Sequence, residues 1–262
     1  MHKGCLLLVG LGLHPGQCTL EALAALKVAD VVFAQAGEPD MLAWVCAQNA
    51  NTHSLQDHYA GHSTRLDAYE AMAEAMLAPV RQGMRVCAAF YGHPGVFVSP
   101  SHMARTRAHA EGLVVMMLPG VSAEDCLYAD LGVDPGGRGV QSYEARDFFV
   151  HARAIDVCAP LILWQPAVVD EAAQSGFCSR AGALTALAAA LQEIYPGDHD
   201  VVLYEAACCA QEPARIEHVR LDRLGCAEIA QETTLFVPAL FAPKPAPARQ
   251  ALMARALAQT MS

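Results

Sequence analysis

The chain is expected to be an α/β protein with two sheets, and three observations predict it. Short apolar runs alternate with helical stretches through the first half; the turn-rich segment Asp134-Pro-Gly-Gly-Arg-Gly139 then breaks the pattern; and a new set of strand-like runs follows it. Such alternation signals βαβ units around a mostly parallel sheet. A length of 262 residues accommodates two such units. The boundary falls near residue 135, giving α/β domains over 1–135 and 136–242 and a Pro/Ala-rich tail over 243–262.

In chain order, Cys5 to Gly10 is the first apolar run, followed by a helix over Thr19 to Ala29. Thr19 is its expected N-cap, because a hydroxyl there accepts an orphan amide hydrogen bond. Asp30 to Ala34, Met84 to Tyr91 and Leu113 to Leu118 are further strands, with a helix beginning near Thr64 and another over Ser101 to Glu111. After Pro119-Gly120, Ser122-Ala-Glu-Asp125 opens a helix over Val121 to Leu131. Beyond the turn, Gln141 to Val150 resumes regular composition, and Pro160 to Trp164, Asp200 to Glu205 and Thr233 to Pro238 are strands. They are separated by an Ala/Leu-rich helix over Ala181 to Tyr195 and by the Pro213 to Glu228 region. Arg249 to Thr260 forms a short terminal helix after a proline-rich stretch that resists regular structure.

Composition excludes several classes. With 54% hydrophobic and 17% charged residues the chain is not disordered. Its formal charge of -10, from 17 Lys+Arg against 27 Asp+Glu, supplies no basic footprint for nucleic acid. The opening Met1-His2-Lys3 leads into an apolar run too short for a membrane span or a signal peptide, so a cytoplasmic protein with no membrane partner is expected. The ten cysteines show no C-x-x-C spacing and read as reduced, buried small hydrophobes. His58 and His62 have metal-ligand spacing, but Gly61 lies between them and no third ligand is evident, so no metal is expected.

The glycine-rich loop Gly10-Leu-Gly-Leu-His-Pro-Gly16 sits where a dinucleotide fingerprint would, but its spacing is wrong, and the next strand run is followed by Gln35 rather than an acidic ribose ligand. A tight turn is the simple alternative. Tyr91-Gly-His-Pro-Gly-Val-Phe97 is more specific: it follows an apolar strand and precedes the helix opening Ser99-Pro-Ser-His102. Ligands of open α/β sheets bind outside such strand ends.

Here a resemblance emerges. Val9-Gly-Leu-Gly12, Tyr91-Gly-His-Pro94 and Leu118-Pro-Gly-Val-Ser-Ala123 match, in order, three motifs of the tetrapyrrole methylases, which use S-adenosyl-L-methionine (SAM). The longer strings Phe90 to His102, Leu118 to Leu127 and Ala129 to Pro135 resemble a subgroup, the borosin enzymes, which methylate backbone amides of a ribosomal precursor peptide. Gln141 to Ala145, Leu161 to Gln165, Tyr204 to Ala206 and Thr233 to Leu235 extend the likeness over about residues 5 to 240. It implies two α/β domains with the cofactor in the cleft between them, and S-adenosyl-L-homocysteine as product.

Carried over by position, Tyr91, His93, Val96, Ala123, Gln165, Ala206 and Thr233 resemble SAM contacts. Without the resemblance, Val96, Ala123 and Ala206 read as packing, Gln165 as a strand-end cap and His93 as a structural histidine. Arg65 and Tyr69, four apart on a helix, share one face. On spacing alone they are a solvated arginine beside a half-buried tyrosine; the resemblance places both in the active site, with Tyr59 and Tyr91 nearby. A further tyrosine of the fused fungal enzymes falls near Gln56, so one hydroxyl fewer is expected here.

The chemistry requires such groups, because an amide nitrogen delocalises its lone pair and holds its proton tightly. Arg65 would donate to the developing oxyanion, Tyr91 or Tyr59 would add a hydroxyl, and Tyr69, made more acidic by the guanidinium, would accept the amide proton. Fused borosin proteins continue into a clasp, a leader-binding domain and a core peptide, whereas this sequence stops at Ser262. A split system is therefore expected, in which a separate precursor docks by a helical leader domain; the resemblance implies a homodimer that binds two such precursors as a heterotetramer. The rivals are a small-molecule methyltransferase acting on a corrinoid or porphyrin, and a silent homologue that only grips a peptide.

Overall fold

The structure, a computed structural model, describes residues 4–62, 64–169, 182–209 and 212–260. Met1 to Lys3, Ser63, Cys178, Ala181 and the last two residues, which enter the sequence reading, lie outside the described residues. The first sheet is wholly parallel and runs β3-β2-β4-β1-β5, from β1 (Cys5–Gly10), β2 (Val31–Gln35), β3 (Thr52–Ser54), β4 (Arg85–Phe90) and β5 (Val114–Leu118). Helices α1 (Leu20–Val28) and α2 (Pro39–Gln48) pack on one face, where Leu26, Met41 and Val45 meet Val9, Val32 and Cys87. Helices α4 (Arg65–Arg81) and α5 (Ser99–Ala110) cover the other, where Met72, Met76 and Ala104 meet Leu6, Leu8 and Phe90; the short α3 (Asp57–Ala60) precedes α4. Coverage of both faces is why β1, β2 and β4 read as nearly unbroken apolar runs.

This order has a functional consequence. Strands β1 and β4 are neighbours, yet the chain leaves them toward opposite faces, into α1 and α5. Their carboxyl ends therefore frame the crevice at which open sheets of this kind take ligands.

Helices α6 (Ala123–Leu131) and α7 (Pro135–Arg138) lead to the second sheet. It is mixed, ordered β6-β7-β10-β8-β9, from β6 (Gln141–Glu144), β7 (Leu161–Trp164), β8 (Asp200–Glu205), β9 (Arg215–Arg220) and β10 (Thr234–Val237). Between them lie α8 (Ala145–Val150) and α9 (Ala183–Gln192), and α10 (Pro247–Thr260) closes the chain. Leu187 and Leu191 of α9 fill one face with Leu203 and Leu235. The other face is covered by α6, whose Leu127 packs on Ile162, Trp164, Val202 and Phe236, while the buried Tyr204 donates to Asp130 at 2.7 Å.

The expected Thr19 cap is present, and the helices read as opening near Thr64 and at Ser122 are capped by those hydroxyls. Thr19 accepts from the Ala22 amide at 3.1 Å, Thr64 caps α4, and Ser122 and Asp125 form a reciprocal capping box. The Pro213 to Glu228 region, given no element from the sequence, holds strand β9: Arg-Ile-Glu-His-Val-Arg has no apolar run, because it is an edge strand held by its antiparallel ladder to β8. Helices α2 and α7 and strand β3 also lay outside the sequence reading. Among the described residues no helix is long and apolar enough to cross a membrane.

Candidate active site

Three loops meet above the first sheet because they carry glycine at their contact points. A Cβ on Gly10 would lie 2.5 Å from the Gly92 carbonyl oxygen and 2.7 Å from the Gly120 Cα. The first loop is then locked to the turn after β4, with the Leu11 amide donating to Phe90 at 2.8 Å and the Gly92 amide to Gly12 at 2.8 Å. Gly92 itself has φ 66°, and a Cβ there would meet only Leu13 and Val121, at 3.8 and 4.0 Å. There is room for a ligand beside it.

The turn after β4 is internally braced. His93 Nδ1 accepts the Gly95 amide at 2.9 Å, which puts the proton of a neutral ring on Nε2. The buried Ser101 hydroxyl bridges the carbonyls of Pro94 and Val98, and His102 Nε2 donates to the Gly95 carbonyl at 2.9 Å. Phe97 is forced to φ 54° and remains 52% exposed. Its ring lies 5.7 Å from that of Trp164, whose indole donates to Ser142 at 2.7 Å. The turn of the first sheet thus touches the end of β7 in the second.

Antiparallel pairing gathers the remaining predicted contacts at that end. Thr234 pairs with both Trp164 and Tyr204, so Gln165 after β7, Ala206 after β8 and Thr233 before β10 share one sheet edge. Gln165 adopts φ 56°, ψ 47°, a costly left-handed conformation for a side chain that tends to mark ligand sites. Ala123 opens α6 and packs with Ala206 on one cluster. Val96 follows His93 in the braced turn, its amide donating to the His93 carbonyl at 3.1 Å. Thr233 is 1% exposed and committed: its hydroxyl donates to Glu205 at 2.5 Å and accepts the Ala230 amide at 2.8 Å, while its own amide donates to Ala230.

The phenols lie on the first sheet's side. Tyr59 on α3 and Tyr69 on α4 meet edge to face, ring centroids 6.1 Å apart. Arg65 lies one turn before Tyr69 on α4 and is half-buried. The Tyr91 amide donates to the Gln35 carbonyl at 2.9 Å, and the Tyr91 ring lies over Gly37, whose added Cβ would approach it to 3.5 Å. Burial, and then Tyr69 beside it, push the Tyr59 phenol well above the usual range. Burial and Tyr69 also raise Tyr91, although 45% of that residue's surface stays exposed. Both therefore hold their protons at neutral pH and serve as hydroxyl donors. Gln56 is exposed at the start of α3.

Gln35, Phe97 and Trp164 were not singled out from the sequence as site residues. The pattern marked Gln35 only as the absence of an acidic residue, and a left-handed Phe has no sequence signal. A groove of about 450 Å³ between α5 and β5, lined by Arg105, His109, Met116 and Leu118, reaches this site only through His93 and includes none of the phenols.

These features define a class, and the chain belongs to the tetrapyrrole (corrin/porphyrin) methylase family, whose model matches residues 6–224. Among its curated relatives is the methyltransferase and ribosomally synthesized cyclic peptide dendrothelin A precursor of Dendrothele bispora, 40% identical over 90% of this chain and 58% of that protein. Another is the methyltransferase and type I borosin cyclic peptide precursor of Coprinopsis marcescibilis, 38% identical over 90% of this chain and 62% of that protein. The chain thus spans under two thirds of either relative. The fold is similar to that of uroporphyrin-III-C-methyltransferase from Thermus thermophilus, with a TM-score of 0.66 at 22% identity over 90% of this chain and 95% of that one.

Proposed function

We propose that the protein transfers methyl groups from SAM to backbone amide nitrogens of a ribosomally made precursor peptide. The observation that carries this reading is the phenol cluster of Tyr59, Tyr69 and Tyr91 beside Arg65 at the ligand-binding end of the first sheet, in a chain whose curated relatives are methyltransferases named as peptide precursors.

The residues present fit SAM. Open space at Gly92, a fixed His93 and the left-handed Gln165 leave a cradle of backbone groups and small side chains. Tyr91, His93, Val96, Ala123, Gln165, Ala206 and Thr233 would hold the cofactor, which supplies an electrophilic methyl group on its sulfonium.

The protein's own task is to make the amide nitrogen nucleophilic. Tyr69, one helical turn after Arg65 and edge to face with Tyr59, accepts the amide proton. Arg65 sets its positive charge against the oxygen on which negative charge grows, and Tyr91 adds a hydroxyl donor to that oxygen. Fixing the amide against both groups supplies part of the acceleration by positioning alone.

The test is to co-express the protein with each short reading frame adjacent to its gene and to locate added methyl groups by fragmentation mass spectrometry. Whole-methyl increments on backbone amides of one such peptide are expected. A protein that binds SAM yet leaves every peptide unmodified, or that methylates a corrinoid or porphyrin instead, would overturn the proposal.

A further inference from the structure

At the carboxyl end of β2 stands a side chain that neither the cofactor contacts nor the proposed chemistry absorbs. Gln35 is tied to the site by its backbone, pairing with Phe90 and accepting the Tyr91 amide at 2.9 Å. Its side-chain Nε2 donates to the Tyr59 hydroxyl oxygen at 3.1 Å. Its Oε1 is buried with no hydrogen-bond partner among the described residues.

We propose that Gln35 is a positioning residue: by donating to the Tyr59 oxygen it turns the single Tyr59 proton toward Tyr69. The inference rests on the reading of Tyr69 as the group that accepts the substrate's amide proton.

A phenol oxygen has one proton to give and can accept in the remaining directions. The Tyr59 ring meets that of Tyr69 edge to face, centroids 6.1 Å apart, and after burial the nearness of Tyr69 helps to raise the Tyr59 phenol; with the Gln35 N–H on one side of its oxygen, Tyr59 has Tyr69 as the neighbouring phenol for its own proton. With that proton directed at Tyr69, only a donor suits the other side of the oxygen, and this sets the Gln35 amide with its N–H toward Tyr59. The relay has one sense, from the Gln35 N–H to the Tyr59 oxygen and from the Tyr59 O–H to the Tyr69 oxygen. It stabilises Tyr69 when its oxygen carries negative charge, the form able to take a proton from an amide. The proton leaving the substrate nitrogen goes to Tyr69, and Tyr59 keeps its own.

Packing does not explain the residue. A leucine or methionine would fill the space without burying an unpartnered carbonyl oxygen. A glutamate would have the right size and the wrong polarity, since a carboxylate accepts from Tyr59 and draws its proton away from Tyr69.

Two readouts test this, and the first needs no substrate. The tyrosine Raman doublet, whose intensity ratio separates donating from accepting phenols, is recorded as a difference between each protein and its Tyr59→Phe counterpart. Wild type should show Tyr59 as donor and acceptor together, and Gln35→Leu should shift it toward donor only. An unchanged ratio would overturn the proposal.

The second readout is kinetic, with SAM and the peptide found by the mass experiment. Gln35→Leu should lower kcat roughly tenfold and leave both KM values within about twofold, the scale of one directed hydrogen bond. Gln35→Glu should be slower still. Adding Gln35→Leu to Tyr59→Phe should cost nothing further, because the residue acts only through Tyr59. Additive losses, a change confined to KM, or a fully active Gln35→Glu would overturn it. Failure of wild type to methylate any peptide, with the Raman shift intact, would count against the proposed substrate alone.

Discussion

At the end of the second sheet Thr233 commits its hydroxyl and its amide to Glu205 and Ala230, whereas on the first sheet's side Gln35 brings in a carbonyl oxygen with no partner among the described residues and Tyr91 keeps nearly half its surface open. The second-sheet edge offers shape: a left-handed Gln165, a small Ala206 and a buried, fully bonded Thr233 side chain. The phenol side offers hydroxyls gathered around the end of β2. A ligand that never varies can be held by saturated backbone geometry, while a substrate that must be deprotonated needs groups whose hydrogen bonds are arranged toward it. The two sides should therefore fail differently when altered.

Apart from Tyr69 itself, the largest separation is expected from Arg65→Ala. Loss of a charged donor to the oxyanion should lower methyl transfer by about 10²–10³-fold, with calorimetric SAM affinity unchanged; an equal loss of SAM binding would erase the distinction between the two sides. Gly10→Ala should damage both together, since its Cβ would strike the backbone of Gly92 and Gly120. Overpacking of this kind costs ~1–3 kcal/mol, to be read as a lower thermal midpoint accompanied by weaker SAM binding and slower transfer. The smallest effect belongs to Thr233→Val, which leaves the Glu205 carboxylate and the Ala230 amide short of a partner. Loss of about 1 kcal/mol should weaken SAM severalfold, visible in its KM and not in kcat.

The legibility of the sequence follows the same division. Strands buried on both faces could be found as apolar runs, and the Thr19, Thr64 and Ser122 caps as hydroxyls before helical periodicity. Strand β9 could not, because its support comes from a ladder and from ion pairs such as Arg215–Glu205 rather than from burial. Within the site, Arg65 and Tyr69 share a face by spacing alone, but the meeting of Tyr59 with Tyr69 depends on how α3 turns into α4. Gln165, Ala206 and Thr233 are far apart in sequence and converge only through the order β7-β10-β8. The Gln35 contact had no local signal, since it joins the end of β2 to a helix 24 residues away.

The most direct test of the account is Tyr69→Phe, measured by equilibrium SAM binding and by single-turnover methyl transfer to the peptide. A loss of ~10²–10⁴ in the transfer rate with SAM affinity unchanged is the predicted result, since only the proton acceptor has been removed. Transfer at near wild-type rate in the folded variant would contradict the assignment of Tyr69 and, with it, the division of labour between the two sides.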